Sequence, residues 1–156
     1  KIKKSFMKFE ARKFSQGSYD HSDKYAKDLF IKFIKKKGHK IINSEENYDH
    51  DVITNKDNIT YYFELETKSN YPFTKNETFP FNSVSFLGRK KRLHIKNKFH
   101  YIIICRETEW AITCNSENIY KDKYIENLKI NTDNRNGQDQ MFRVPKEKCI
   151  FFNINK

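Results

Sequence analysis

Apolar residues recur along this chain with two different periods, and the change between them falls at Gly38. From Tyr19 to Lys37, the residues Tyr25, Ala26, Leu29, Phe30, Phe33 and Ile34 recur at i, i+1, i+4, i+5, which is one stripe of an amphipathic helix. Asp20 and Asp23 stand in its predicted first turns, Lys35, Lys36 and Lys37 close it, and Gly38 follows. Acid at the start, base at the end and glycine beyond suit the helix dipole and a left-handed cap. After Gly38 the runs are short and alternate, predicting strands over 40–43, 48–54 and 59–68, with Asn55-Lys56-Asp57-Asn58 as the turn of a hairpin between the last two. In the second arm Ile59, Tyr61, Phe63 and Leu65 share one parity, while Thr60, Tyr62, Glu64, Glu66 and Lys68 share the other. One face is therefore core and the other acidic.

Residues 69–82 carry Pro72 and Pro80 and read as an excursion. Residues 83–98 read as a basic helical segment containing Arg89-Lys90-Lys91-Arg92, and the continuous apolar run 99–105 suits a strand buried on both faces. A further strand over 110–114, a weak helix over 117–128, a polar loop over 131–140 with Asn136-Gly137, and short strands over 142–144 and 149–154 complete the pattern. No internal repeat is visible. The predicted class is α/β (α+β): one domain over 1–156, made of a basic segment (1–18), a core (19–105) in the order α-β-β-β-α-β, and a C-terminal extension (106–156) of strands and a helix.

Charge narrows the function. The 156 residues carry 31 basic and 20 acidic side chains, a formal +11. Part of that excess reflects a composition drifted toward residues with AT-rich codons, since there are 25 Lys to six Arg, 16 Asn and three Ala. What remains is the electrostatic signature expected of a nucleic-acid binder. The longest apolar run, Tyr101 to Cys105, is far too short for a membrane span, and the charged start offers no secretory signal. The expectation is a cytoplasmic, intracellular protein with no membrane partner. Cys105, Cys114 and Cys149 lack Cys-x-x-Cys spacing and the five His are scattered, so core thiols are expected rather than a disulfide framework or a zinc site.

The hairpin holds the informative chemistry. Its arms lie about 5 Å apart, so Asp49 and Asp51 on the first arm and Glu64, Glu66 and Lys68 on the second can converge on one face. Four carboxylates together repel one another, and a hard divalent cation with oxygen ligands neutralises them. The bland alternative is a solvated face whose acids alternate with apolar residues because the other face is buried. A turn centred on Asp57 and Asn58 would oppose Asp49 to Glu66 and Asp51 to Glu64, unless a bulge shifts the register.

Asp51-Val52-Ile53, with fourteen residues between Asp51 and Glu66 of Glu66-Thr67-Lys68, together with the element order, resembles the restriction-endonuclease-like, or PD-(D/E)XK, nuclease superfamily over about residues 19–105. His50 stands where the motif has Pro. The resemblance implies a core with a mixed sheet flanked by helices and a Mg²⁺-dependent DNA endonuclease of restriction, homing, repair or junction-resolving type, with Mn²⁺ as a substitute metal and a homodimer as one assembly. Asp51 and Glu66 would hold the metal, and Lys68 would orient water or stabilise developing charge. An added acid from the first helix would be Asp23, or else Asp20 or Asp28, whose competing role is the helix dipole.

Arg89, Lys90, Lys91 and Arg92 are candidate phosphate contacts or a solvated helix face. Asn136, Gln138, Gln140 and Arg143 are residue types that read base edges or phosphates, and Trp110 is expected in the core. Two competing classes stay open: a basic nucleic-acid-binding module without catalysis, and an RNA-directed nuclease or RNA-binding protein.

Overall fold

A computed structural model describes residues 16–45, 50–68, 71–129 and 138–156, with backbone alone for 16–23, 127–129, 138 and 139. The basic segment up to residue 15, Asp49 and the Asn136-Gly137 loop lie outside the described residues, as do the side chains of Asp20, Asp23 and Gln138.

Helix α1 (Gln16–Lys36) buries Ala26, Phe30 and Ile34, the stripe its sequence spacing predicts. It begins three residues earlier than expected and has no acid in its first turn, so Asp20 and Asp23 do not stand where a helix dipole acts most strongly. Its end is a Schellman cap. Gly38 sits at φ +90°, its N–H donates to Lys35 O at 3.0 Å, and the His39 N–H donates to Ile34 O at 3.2 Å.

Strands β1 (Lys40–Asn43), β2 (Val52–Lys56) and β3 (Ile59–Lys68) follow as an antiparallel meander. The β2–β3 turn is tighter than expected, because Asn55 and Lys56 pair with Thr60 and Ile59, leaving Asp57 (φ 53°) and Asn58 (φ 66°) as its two central residues. Asp and Asn tolerate the left-handed region better than other L-residues, and two such residues match the twist of a hairpin. This turn fixes the register that the site depends on.

Strand β4 (Ser83–Leu87), a one-turn 3-10 helix (Gly88–Lys90) and α2 (Lys91–Lys96) occupy the segment expected to be one basic helix. Only its last third is α-helical. Val84 and Phe86 alternate inward as a half-buried strand does, and that local period outweighs the basic composition. Strand β5 (His100–Cys105) then runs parallel to β3 and is buried on both faces, as its apolar run predicts.

After β6 (Trp110–Asn115), the helix expected over 117–128 shrinks to a single turn, α3 (Ser116–Ile119), and the chain enters β7 (Ile125–Lys129). Strands β8 (Gln138–Pro145) and β9 (Ile150–Asn153) complete the described fold. The result is a mixed six-stranded sheet in the order β1-β2-β3-β5-β6-β9 and an antiparallel three-stranded sheet in the order β4-β8-β7.

The large sheet separates two apolar cores. Phe63, Leu65, Ile102, Ile104 and Ala111 face α1, and Phe30 meets Phe63 with ring centroids 4.8 Å apart. Tyr101, Ile103, Cys105, Ile112 and Cys114 face the other way, onto Phe86, Phe142 and Val144 of the small sheet. Cys105, Cys114 and Cys149 are buried free thiols, as expected. Trp110 packs against the second core. Among the described residues no helix is long and apolar enough to cross a membrane.

Candidate active site

The acidic parity of β3 faces the second core, and it is not a solvated face. Glu64 is 3% exposed, and the side chains of Glu66 and Lys68 are 14% and 17% exposed. Ionised groups at such depth cost several kcal/mol each unless they are paired. Pairing is what the surrounding elements supply.

Asp51 immediately precedes β2, and the hairpin register places it across from Glu64. Its N–H donates to Glu64 Oε2 at 3.0 Å, and its own Oδ2 accepts the Leu65 N–H at 2.8 Å, locking the two arms together side chain to backbone. His50 Nδ1 adds a second donor to the same Glu64 oxygen at 3.1 Å. An ionised carboxylate only accepts, so Nδ1 carries the proton. The imidazole is wedged between Tyr62 and Phe99, with centroids 4.9 and 5.4 Å away, and its Nε2 is buried with no hydrogen-bond partner among the described residues.

The remaining Glu64 oxygen meets a cation. Lys90 Nζ lies 3.3 Å from Glu64 Oε1, 3.7 Å from Asp51 Oδ2 and 3.0 Å from Leu65 O, to which it donates. The same ammonium lies over the Tyr101 ring, 5.2 Å from the centroid. The 3-10 turn after β4 brings Lys90 here, and Gly88 lets that turn approach β8: a Cβ at Gly88 would stand 2.4 Å from Gln140 O. Only glycine fits so close to backbone.

A second pair adjoins the first, two residues along the strand. Glu66 accepts from the Tyr101 hydroxyl, and its other oxygen lies 2.9 Å from Lys68 Nζ. The Tyr101 oxygen accepts the Leu87 N–H at 3.4 Å, tying this pair to the end of β4. Tyr120, from the turn after α3, donates to Leu87 O at 3.0 Å.

Opposed forces set the ionisation of these groups. Burial pushes Glu64 up, but the His50 hydrogen bond, the Lys90 ammonium and the Asp51 N–H together hold it below the ordinary carboxylate value. Burial likewise pushes Glu66 up, and the charge of Lys68 with hydrogen bonds from Tyr101 and Lys68 outweighs it. The Glu66 charge raises Lys68 despite burial. Burial and the adjacent Glu66 charge drive the Tyr101 phenol well above its usual range. Both glutamates are thus anions near neutral pH and Lys68 a cation.

Of the residues singled out in the sequence, Asp51, Glu66 and Lys68 stand at one end of the hairpin on one face of the large sheet. The carboxylate that Asp51 faces is nevertheless Glu64, the hairpin partner read from the turn. Lys90 turns inward to the acids, whereas Arg89 and Arg92 are exposed and Lys91 lies over the Phe142 ring at 5.9 Å. Gln140 is exposed on β8, Arg143 pairs with Glu126, and Asp28 is on α1, which packs against the opposite face of the sheet. The sequence offers Lys90 as a phosphate contact and not as a partner of the carboxylates, and it does not mark Tyr101 as a site residue, since β4 and the parallel register of β5 have no local signature. His50 was noticed only as a substitute for Pro.

Among the described residues no three His, Cys, Asp or Glu side chains gather as a metal-binding group. The cation-facing oxygens are two carboxylates and one main-chain carbonyl. Hard oxygens of this kind suit Mg²⁺, and they already hold a cation, so the donor chemistry fits the metal that the resemblance implies. Comparison with family models, curated proteins and solved structures finds no match to this chain.

Proposed function

We propose that the protein is a Mg²⁺-dependent DNA endonuclease with a restriction-endonuclease-like core. One observation carries the reading: Asp51 Oδ2, Glu64 Oε1 and Leu65 O converge on a single positive centre, within 3.0–3.7 Å of Lys90 Nζ. A solvated acidic face gives no such convergence. The element order supports it, since α1, β1, β2, β3, α2 and β5 follow the order of that core with β4 inserted before α2.

Asp51 and Glu64 would hold the metal together with Leu65 O, and Glu66 stands beside them rather than as the direct partner of Asp51. A bound Mg²⁺ supplies polarisation of a phosphate oxygen and a more acidic bound water. The chain's own residues do the rest. Lys68, fixed by Glu66 and raised in pKa, stays an ammonium and can stabilise charge developing on phosphate. Tyr101 and His50 hold Glu66 and Glu64 in orientation. Exposed Arg89 and Arg92, on the turn and helix that carry Lys90, offer backbone phosphates a positive rim.

A second reading, a nucleic-acid-binding module without catalysis, draws on the same contacts: three carboxylates meet two ammoniums, so the site is largely neutralised by the chain itself. The test is supercoiled plasmid in Mg²⁺ beside EDTA, with duplex affinity measured in EDTA for wild type, Asp51→Asn and Lys68→Ala. Nuclease action predicts cleavage in Mg²⁺ only, lost in both variants. Metal-free affinity should hold or rise for Asp51→Asn and fall slightly for Lys68→Ala, because the two deleted charges have opposite sign. DNA binding with no cut of plasmid, branched DNA or RNA would establish the module, and cleavage confined to RNA would redirect the substrate.

A further inference from the structure

Glu64 presents its two oxygens to different company. Oε2 receives two fixed donors, His50 Nδ1 and the Asp51 N–H, while Oε1 faces the end of the Lys90 side chain. Oε1, Asp51 Oδ2 and Leu65 O are therefore held in position by groups other than Lys90. Asp51 Oδ2 is held by the Leu65 N–H, Glu64 by His50 and the Asp51 N–H, and Leu65 O by the β3–β5 ladder around it. A cradle fixed independently of its occupant can exchange that occupant.

We propose that Lys90 is a tethered counter-cation: its ammonium occupies the cradle of Asp51, Glu64 and Leu65 O when no divalent metal is bound, and metal binding must displace it. The inference rests on the reading of this cradle as the metal site. Two positive centres at the same oxygens repel each other and compete for them, so affinity for metal is lowered by the affinity for the tethered ammonium. The lysine stem is flexible and its side chain 15% exposed, which gives the head a route to solvent. Once displaced, it stands on the same turn as exposed Arg89 and just before Lys91 and exposed Arg92, where phosphate would be its next partner. Metal occupancy would thereby convert a structural lysine into a DNA-facing one. The device also keeps buried Glu64 and half-buried Asp51 paired while the protein is metal-free.

The experiment uses Mn²⁺ alone, without DNA. Free Mn²⁺ is followed by electron paramagnetic resonance as it is titrated into wild type, Lys90→Met, which keeps the stem and removes the charge, and Lys90→Arg, which keeps the charge. Separately, acetic anhydride labelling of wild-type Lys90 is quantified by peptide mass spectrometry with and without Mn²⁺. The proposal expects Lys90→Met to bind Mn²⁺ on the order of tenfold more tightly than wild type, Lys90→Arg to stay near wild type, and Lys90 labelling to rise several-fold with metal. Unchanged or weaker binding by Lys90→Met, absence of Mn²⁺ binding by every form, or Lys90 labelling indifferent to Mn²⁺ would each overturn it. The labelling needs no variant, so misfolding of Lys90→Met leaves the proposal testable. Tighter Mn²⁺ binding by Lys90→Met in a protein that cuts no nucleic acid would uphold the counter-cation and remove the nuclease.

Discussion

Phe63 and Glu64 are neighbours on β3 with nearly equal exposure, 5% and 3%, and opposite surroundings. Phe63 enters the core under α1, where Phe30 and Leu65 cover it. Burying such a side chain contributes about 1.5–3 kcal/mol, and nothing further is needed to hold it there. Glu64 enters the other side of the sheet, where burial opposes its charge, and it is tolerated because two segments supply its partners, His50 with Asp51 before β2 and Lys90 on the turn after β4. An apolar residue of similar volume, with its partners replaced too, would serve folding as well or better. At this point of β3, the α1 face therefore contributes stability through burial alone. The opposite face, around β3, is organised around charges whose value lies in what they hold.

The sharpest way to break that comparison is to change one residue on each face. Phe30→Ala empties a fully buried ring and should cost about 3–5 kcal/mol in urea unfolding. Glu64→Gln keeps the shape and leaves Lys90 with Asp51 and Leu65 O, so it should cost less than about 2 kcal/mol, near the cost of a single altered buried hydrogen bond. Cleavage should respond in the reverse sense: Glu64→Gln loses at least about a hundredfold, while folded Phe30→Ala still cuts. If Glu64→Gln unfolds as readily as Phe30→Ala, the polar face is a structural centre and the contrast fails.

The two faces were also unequally legible in the sequence. The α1 stripe, the Gly38 cap and the alternation of β3 follow from local periodicity, and each element stands close to its expected place. The hairpin turn was legible enough to oppose Asp51 to Glu64, because two residues that tolerate positive φ fix a register over the whole ladder. Beyond that, the site is assembled by non-local pairing. Lys90 arrives on a turn that follows an unexpected strand, and Tyr101 arrives through a parallel register with β3 that no nearby residue specifies. A run of four basic residues looks alike in sequence whether its second member faces phosphate or carboxylate.

Acid sharpens the comparison with a smaller effect. Glu64 and Glu66 titrate below the ordinary value of about 4.3. A carboxyl depressed in the folded state contributes stability that is complete above the unfolded value and is lost as pH falls through the folded one. Wild type should therefore lose urea resistance between about pH 5 and pH 3, and Glu66→Gln should lose less over the same interval. Lys68 is raised, so its contribution is present below about pH 10.4 and fades as pH rises through its folded value. On the α1 face the rings of His39 and His100, both lowered by burial, pack against Phe63 and cost stability as pH falls below about 6.5, ahead of the carboxylates, and Phe30→Ala should shift the whole profile down without changing the limb between about pH 5 and pH 3. An acid limb that is identical in wild type and Glu66→Gln would mean that the Glu66 pairing adds nothing to stability.

The smallest effect separates the outer side of the site from its interior. Arg89 and Arg92 are exposed, whereas Lys90, between them in sequence, is engaged by Asp51, Glu64 and Leu65 O. Each phosphate neutralised on a duplex releases counterions, so the slope of log affinity against log salt counts the contacts made. In EDTA, Arg89→Ala and Arg92→Ala should each flatten that slope by about one and weaken binding to unrelated duplexes alike, because a phosphate contact reads no sequence. Lys90→Met in EDTA should leave the slope unchanged, since its ammonium is already engaged with the acids, and removing it exposes negative charge that lowers affinity only modestly. Filter binding or anisotropy from low to moderate salt distinguishes the three variants. A slope that flattens for Lys90→Met as much as for Arg89→Ala would place Lys90 on the DNA rather than on the carboxylates, and the division between an outer phosphate-facing rim and an inner charge-paired site would be lost.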